Sequence, residues 1–216
     1  MTKLEIGGGK NVREGWLNLD CYAKTADIKL DLRACLAIPL ADNSINKVFS
    51  SHCIEHINDL SAIHLFKELY RTTKSGAILR FSCPDGDLIY NSYGEGNLET
   101  FKVFPGASLE ERFINWLVSY ENQKGVPGVN PETVKKYYNS MSKERFLEWA
   151  IETHLDTKRP YIAHCNWFNE EKLTAMLADA GFINIKRSEA FKSEDAELRK
   201  GFDSHLAISI FMECGR

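Results

Sequence analysis

A short apolar strand, Leu4-Glu5-Ile6, runs straight into Gly7-Gly8-Gly9, and a second strand, Trp16-Leu17-Asn18-Leu19-Asp20, starts soon afterwards. A strand that ends in glycine leaves backbone without side chains at a sheet edge. Glycine permits positive φ and close approach of another group there. A tight turn alone would also explain the triplet. A dinucleotide site would need Gly-x-Gly-x-x-Gly and a helix N-terminus to seat the pyrophosphate. Here Gly7 and Gly9 are followed by Val12. The link is also too short for a full crossover helix with its turns, which takes about 10–12 residues. The loop therefore suits a cofactor that carries no phosphate.

The rest of the first ninety residues alternates short apolar runs with turns. Asp27-Ile28-Lys29-Leu30-Asp31 reads as a third strand. Lys47-Val48-Phe49-Ser50-Ser51, after the turn signal Asp42-Asn43-Ser44, reads as a fourth. Leu60, Ile63, Leu65, Phe66, Leu69 and Tyr70 make the apolar stripe of a helix over Leu60–Thr72, which Lys74-Ser75-Gly76 is expected to stop. Ala77–Ser82 is a fifth strand, closed by Pro84-Asp85-Gly86. From about Asp87 to Pro160 the rhythm breaks into an aromatic-rich stretch with helices expected around Leu109–Tyr120 and Ser142–Leu155. The pattern then resumes. Asn169 caps a helix that ends at Gly181, and Phe182–Lys186 and Ala207–Met212 are strands.

This order predicts an α/β fold: a Rossmann-like, mostly parallel sheet with flanking helices and an antiparallel last strand. The domain reading is one domain over residues 1–216, with residues 87–160 as a helical cap inserted after the fifth strand. Ligands of such sheets collect at the carboxyl ends of the strands.

Composition narrows the function classes. The chain has 216 residues and a formal net charge of -3, with no basic run, so neither nucleic acid nor anionic lipid is an expected partner. No stretch approaches the roughly 18 apolar residues of a membrane span, and no signal-peptide pattern is present. The six cysteines form no Cys-x-x-Cys pair, which fits reduced thiols and a cytoplasmic location.

Asp20 ends the second strand, where a carboxylate can accept hydrogen bonds from ribose hydroxyls. Asp31 ends the third segment, where it can address an adenine edge. Each alone is as well explained as a turn cap. At successive strand ends beside the glycine loop, the two favour an adenosyl ligand.

In this ordered setting the chain resembles class I S-adenosylmethionine-dependent methyltransferases, and especially the small bacterial methyltransferase-11-like group. The resemblance rests on Leu4 to Gly9 followed by Gly15-Trp16-Leu17-Asn18-Leu19-Asp20, on Asp31-Leu32-Arg33, and on Ile38 to His56 as a fourth-strand motif with its following helix. It continues through Lys67 to Gly76, Phe81-Ser82-Cys83-Pro84-Asp85 and Ala180-Gly181-Phe182. It covers residues 3–90 and 164–213; Ser75 stands where the family usually has proline. The resemblance implies S-adenosyl-L-methionine as cofactor. Glu5 and Gly7, with Gly8 and Gly9, would lie toward its methionine part. Asp20 would hold the ribose, Asp31 and Leu32 would flank the adenine, and Ser51 would line the floor beside Ser50.

Methyl transfer needs alignment of the reacting atoms and exclusion of water. A base is needed only for a hydroxyl or protonated amine acceptor. His52, directly after the fourth strand, is the first candidate base, and His164 the second; a structural role is the alternative for both, and is favoured for His56. Asp85 and Trp167 are candidate acceptor-binding residues. The run His52-Cys53-Ile54-Glu55-His56 also matches His-x-x-Glu-His, but that zinc pattern belongs in mid-helix, so no metal is expected. The expected reaction is methylation, on oxygen, of a small molecule or sugar; the resembling group often accompanies glycan biosynthesis. The competing reading is a non-catalytic cofactor- or partner-binding module that kept the fold. A DNA amino-methyltransferase would carry Asn/Asp-Pro-Pro-aromatic where this chain reads Ser50-Ser51-His52-Cys53.

Overall fold

The computed structural model describes residues 1–11, 13–119, 126–159, 161–199 and 203–216. Val12, Tyr120 and Pro160, each named from the sequence, lie outside the described residues. In chain order the strands are β1 (Thr2–Ile6), β2 (Leu17–Leu19), β3 (Ile45–Ser51), β4 (Thr73–Pro84), β5 (Ile183–Ser188) and β6 (Ser209–Gly215). The helices are α1 (Asp59–Thr72), α2 (Gly86–Gly94), α3 (Leu109–Val118), α4 (Pro131–Tyr138), α5 (Lys143–His154) and α6 (Glu170–Ala180). The chain divides into two compact units, one of residues 1–84 and 169–216 and one of residues 85–168.

The first unit is a Rossmann-like sheet in the order β2-β1-β3-β4-β6-β5. Neighbours β2, β1, β3 and β4 are parallel, and β6 runs antiparallel to both β4 and β5. Because side chains alternate across a strand, the two faces can be read directly. One face carries Leu4, Ile6, Val48, Leu79, Phe81 and Met212 and is almost wholly buried. Helix α1 lies on it. Asn58 caps its start by accepting from the Ser61 amide, its inner stripe buries Leu65, Phe66 and Leu69, and Phe66 meets Phe81 edge-to-face at 5.4 Å. Helix α6 packs beside α1, tied by Lys172–Asp59 at 2.8 Å and by Tyr70 against Phe182 at 5.5 Å.

The opposite face is polar, with Glu5, Asn18, Lys47, Arg80 and Glu213 on it beside Phe49 and Ile78. Residues 189–199 and 203–208, a strap between β5 and β6, supply its partners. Leu198 is fully buried against Trp16, Phe49 and Ile78. Glu197 accepts from Lys3 at 2.6 Å, Lys47 at 2.9 Å and the Trp16 indole at 3.3 Å, and Asp195 pairs with Lys47 at 2.7 Å. Arg80 and Asp203 form a pair whose side chains are 0% exposed, with Nε to Oδ1 at 2.9 Å and Nη2 to Oδ2 at 2.7 Å. Arg80 also donates to the Ser188 hydroxyl and the Glu189 carbonyl and stacks over Phe211. A polar sheet face is buried here because each charge meets an opposite charge or a hydrogen-bond acceptor.

The second unit is helical and built on aromatic packing. Tyr93, Phe113 and Phe146 lie in stacked or tilted contact, and Tyr138 meets Tyr93 and Phe146 edge-on. Tyr93 reaches Glu110 at 3.4 Å; burial and that carboxylate push its hydroxyl pKa up. Tyr93, Phe101, Phe113, Trp116 and Phe146 are core residues of the unit, while Tyr90, Phe104, Tyr137, Tyr138 and Trp149 are half-buried.

Three local expectations need correction. The third strand over Asp27–Asp31 is a single bridge, Ile28 to Leu19. Its residues stay half-buried or exposed, Asp27 spends its carboxylate on the Asn18 amide, and Asp31 starts a 3-10 turn. Lys74-Ser75-Gly76 does not stop α1 but lies inside β4. The helix ends earlier, where the Thr72 and Thr73 hydroxyls donate to the Glu68 and Leu69 carbonyls. Strand β3 leads into a 3-10 turn, Ile54–His56, before α1 begins. Helices α2 and α4 add to the two helices expected in the aromatic stretch.

Two outcomes are expected. Replacing Asp203 with alanine strands the buried Arg80 charge and should cost about 3–5 kcal/mol in urea unfolding. The two lysine hydrogen bonds hold the Glu197 carboxyl down to about 2 from its ordinary 4.5. Its stabilising contribution is therefore complete above about 4.5 and lost as pH falls toward about 2. Glu197→Gln should flatten the stability–pH curve in that window.

Candidate functional site

The register aligns the ends of three strands. Ile6 sits beside Leu19 on one side and Ser50 on the other, so Gly7, Asp20 and Ser51 leave the sheet side by side at its carboxyl edge. The amide of Gly7 donates to the Leu19 carbonyl at 2.8 Å, which turns the chain across the end of β2. Gly7 has φ +69, and a Cβ there would stand 2.5 Å from Cys53 Sγ. Glycine is required on both counts. A Cβ on Gly8 would meet Asn18 Oδ1 at 2.7 Å and Glu5 Cδ at 3.0 Å. Gly9 has φ +59 and faces open space.

Asp20 organises this loop. Its Oδ2 accepts from the Gly9 amide at 3.0 Å, and its Oδ1 accepts from the amides of Tyr22 and Ala23 at 2.7 and 2.9 Å. A carboxylate oxygen has two acceptor positions. Oδ1 is filled, and among the described residues Oδ2 accepts from Gly9 alone. Glu5 is buried, and both its oxygens accept from Arg13 Nε at 3.0 Å, so it ties the loop back onto β1. Asn18 braces the loop through the Gly8 amide and the Gly9 carbonyl.

Asp31 caps the 3-10 turn that contains Leu32. The Arg33 side-chain hydrogen bond, at 2.9 Å from Nε, holds its carboxyl below the usual carboxylate range. Leu32 is half-buried. Ser51 sits in a hydroxyl chain with Ser82 and Ser204, both at 2.9 Å. His52 comes next in left-handed backbone, φ +50, outside any α-helix. Its Nδ1 lies 3.1 Å from the buried Glu55 carboxylate, and its Nε2 lies 2.7 Å from the Ser209 hydroxyl. The His205 ring lies 4.5 Å from the His52 ring.

The other sequence candidates belong to the helical unit. Asp85 is buried and caps α2, with Oδ1 accepting from the Asp87 and Leu88 amides at 3.1 and 3.3 Å. Trp167 is buried, with its amide donating to the Asn166 side chain. His164 is half-buried, and its amide donates to the Val118 carbonyl at 3.1 Å.

Arg13, Asn18, Cys53, Glu55, Ser204, His205 and Ser209 are not singled out by sequence reasoning. Asn18 and Glu55 stand inside the motifs quoted. His205 and Ser209 belong to a polar stretch with no periodic pattern, and only the fold brings them to β3.

Comparison with known proteins adds a family. Residues 17–81 match the family model described as a methyltransferase domain, and these residues hold β2, Asp20, β3, His52, α1 and most of β4. That segment is similar to methyltransferase domains and spans less than a third of the chain. Class I methyltransferases take their methyl group from S-adenosylmethionine. Similar solved structures include a SAM dependent methyltransferase from Archaeoglobus fulgidus, at 14% identity and a TM-score of 0.49 over 100% of this chain and 86% of that one. Another is an S-adenosylmethionine dependent methyltransferase from Mesorhizobium loti, at 14% identity and 0.47 over 99% and 90%. A third is a possible histamine N-methyltransferase from Thermotoga maritima, at 15% identity and 0.47 over 99% and 81%. No curated protein matches the chain. Among the described residues, no helix is long and apolar enough to cross a membrane.

The site's donor set fits this cofactor. S-adenosylmethionine carries two cationic centres, ribose hydroxyls and no phosphate. Carboxylates stand at the ends of β1 and β2, and among the described residues no helix follows the glycine loop to seat a phosphate.

A Gly7→Ala substitution should destabilise the sheet unit more than Gly9→Ala does. Both replacements carry a left-handed penalty of about 1–2 kcal/mol, but only the first drives a methyl group into Cys53. Paired thermal unfolding curves check the order.

Proposed function

We propose that the chain binds S-adenosylmethionine at the carboxyl edge of β1, β2 and β3. It transfers the methyl group to a hydroxyl of a small-molecule or sugar acceptor, with histidine assistance. The observation that supports this reading best is the Asp20 clasp, a strand-end carboxylate that holds the glycine loop open and whose Oδ2 accepts from Gly9 alone among the described residues.

When bound, the cofactor supplies a methyl group on a sulfonium that needs no further activation. The chain's residues do the rest. Asp20 accepts from one ribose hydroxyl through Oδ2. Gly7, Gly8 and Gly9 let the backbone come close to the methionine part, and Glu5 shapes that stretch through Arg13. Asp31 and Leu32 stand on the adenine side. Ser51 ends the floor, and a histidine at this edge receives the proton that a hydroxyl acceptor must lose. The six cysteines are thiols, which supports a reducing, cytoplasmic location. In the helical unit, Asp85, His164 and Trp167 are proposed as acceptor-side residues.

Titration calorimetry with S-adenosylmethionine and its demethylated product tests the binding half. Asp20→Ala should weaken both by about tenfold or more, the scale of losing one hydrogen bond to a charged group. Unchanged affinity would overturn the ribose assignment. A screen of phenols, monosaccharides and hydroxy acids for release of demethylated cofactor then tests transfer.

A further inference from the structure

His52 and His205 are not equivalent. The buried Glu55 carboxylate faces His52 Nδ1 at 3.1 Å, an ion-pair contact without hydrogen-bond geometry. Ser209 has one hydroxyl proton, and its oxygen lies 2.9 Å from the His205 carbonyl, which can only accept. When Ser209 donates there, it must accept from His52 Nε2. The His52 ring is held between Ser209 and Glu55, with a side-chain exposure of 17% and the buried Glu55 carboxylate beside it.

His205 is the opposite case. The residue is exposed, stands in left-handed backbone with φ +50, and its ring makes no hydrogen bond or ion pair among the described residues. The groups that face it are His52 and Glu55; Asp203, two residues before it, is spent on Arg80. Partial desolvation, and then the charge on His52, lower its pKa, with Glu55 opposing them. A lowered pKa keeps an imidazole neutral and ready to take a proton at neutral pH.

We propose that His205 is a catalytic residue of the methyl transfer, the imidazole that takes the acceptor's proton, and that His52 is its positioning residue, locked between Glu55 and Ser209. This rests on the methyltransferase reading with a hydroxyl acceptor. The acceptor hydroxyl gives its proton to the free nitrogen of His205 as its oxygen bonds the methyl carbon; the electron pair of the breaking carbon–sulfur bond stays on sulfur. The strap thus contributes chemistry as well as cover.

The test begins with diethyl pyrocarbonate, which acylates accessible neutral imidazole. Reactivity is followed by peptide mass mapping from about pH 5 to 8 on the chain and on its His52→Asn variant, asparagine being tolerated in left-handed backbone. His205 should react about tenfold faster than His52, and its midpoint should move up in the variant as the neighbouring charge is lost. His205→Asn should bind S-adenosylhomocysteine as the wild type does. In the acceptor screen it should lose about tenfold or more in transfer, together with the acidic limb of the rate–pH profile. The proposal is overturned if His52 reacts as fast as His205, if the midpoint does not move, or if His205→Asn binds the cofactor and transfers at full rate. A wild-type chain that binds neither form of the cofactor would refute the methyltransferase reading instead. In that event the reactivity arm still decides which imidazole is free.

Discussion

The sheet unit depends on what happens to one guanidinium. Arg80 points from the middle of β4 into a face that water does not reach, and such a charge is tolerated only with a partner in place. Asp203 is that partner, and it arrives on the strap between β5 and β6. Once the pair forms, the strap is fixed along its length. Leu198 closes over Trp16 and Phe49, Glu197 and Asp195 meet the lysines of β1 and β3, and Ser204, His205 and Ser209 come to rest beside His52.

The same register that buries the apolar face builds the edge proposed for the cofactor. Because β1, β2 and β3 end level with one another, a glycine loop, a carboxylate and a serine–histidine pair emerge together from three separate stretches of sequence. The loop's conformation is a consequence of Asp20 and Asn18, which accept its amides, and of Cys53, which leaves no room beside Gly7. Binding and folding therefore share residues here. The carboxylate proposed for the ribose is also the one that shapes the loop.

Much of this is legible from residue pattern. The run into Gly7, the alternation in β3 and β4, the stripe of α1 and the Asn169 and Gly181 caps of α6 are local signals, and the fold obeys them. Asp20 and His52 are legible as site candidates because they come directly after strands, and Ser51 because it ends one. The features that escape share one physical cause: the partner lies far away in sequence. Arg80, Lys47 and Lys3 look like solvent-facing charges on a strand until a distant acidic strap is placed on them. Other misreadings are local. Asp27–Asp31 has strand alternation but buries too little to hold a ladder. Lys74-Ser75-Gly76 reads as a stop, yet hydroxyl bonds end the helix before it. Pro84-Asp85-Gly86 reads as a turn, although its aspartate caps α2. Asn130-Pro131 before α4 carries a cap signal that the aromatic density around it masks.

The strap has a further consequence, in the order of events during folding. Lys3 and Glu197 are 194 residues apart, and Arg80 and Asp203 are 123 apart. Contacts of such separation close large loops before they return any stabilisation, which slows folding. A chain leaving the ribosome presents the glycine loop and Asp20 early, while the residues that cover the adjoining sheet face emerge near the end. Until they do, a charged sheet face and the ring of Phe49 stand open to water and to other chains. The edge proposed for the cofactor is thus written early but gains its strap late, and the interval between the two is when such a chain is most exposed to misassembly.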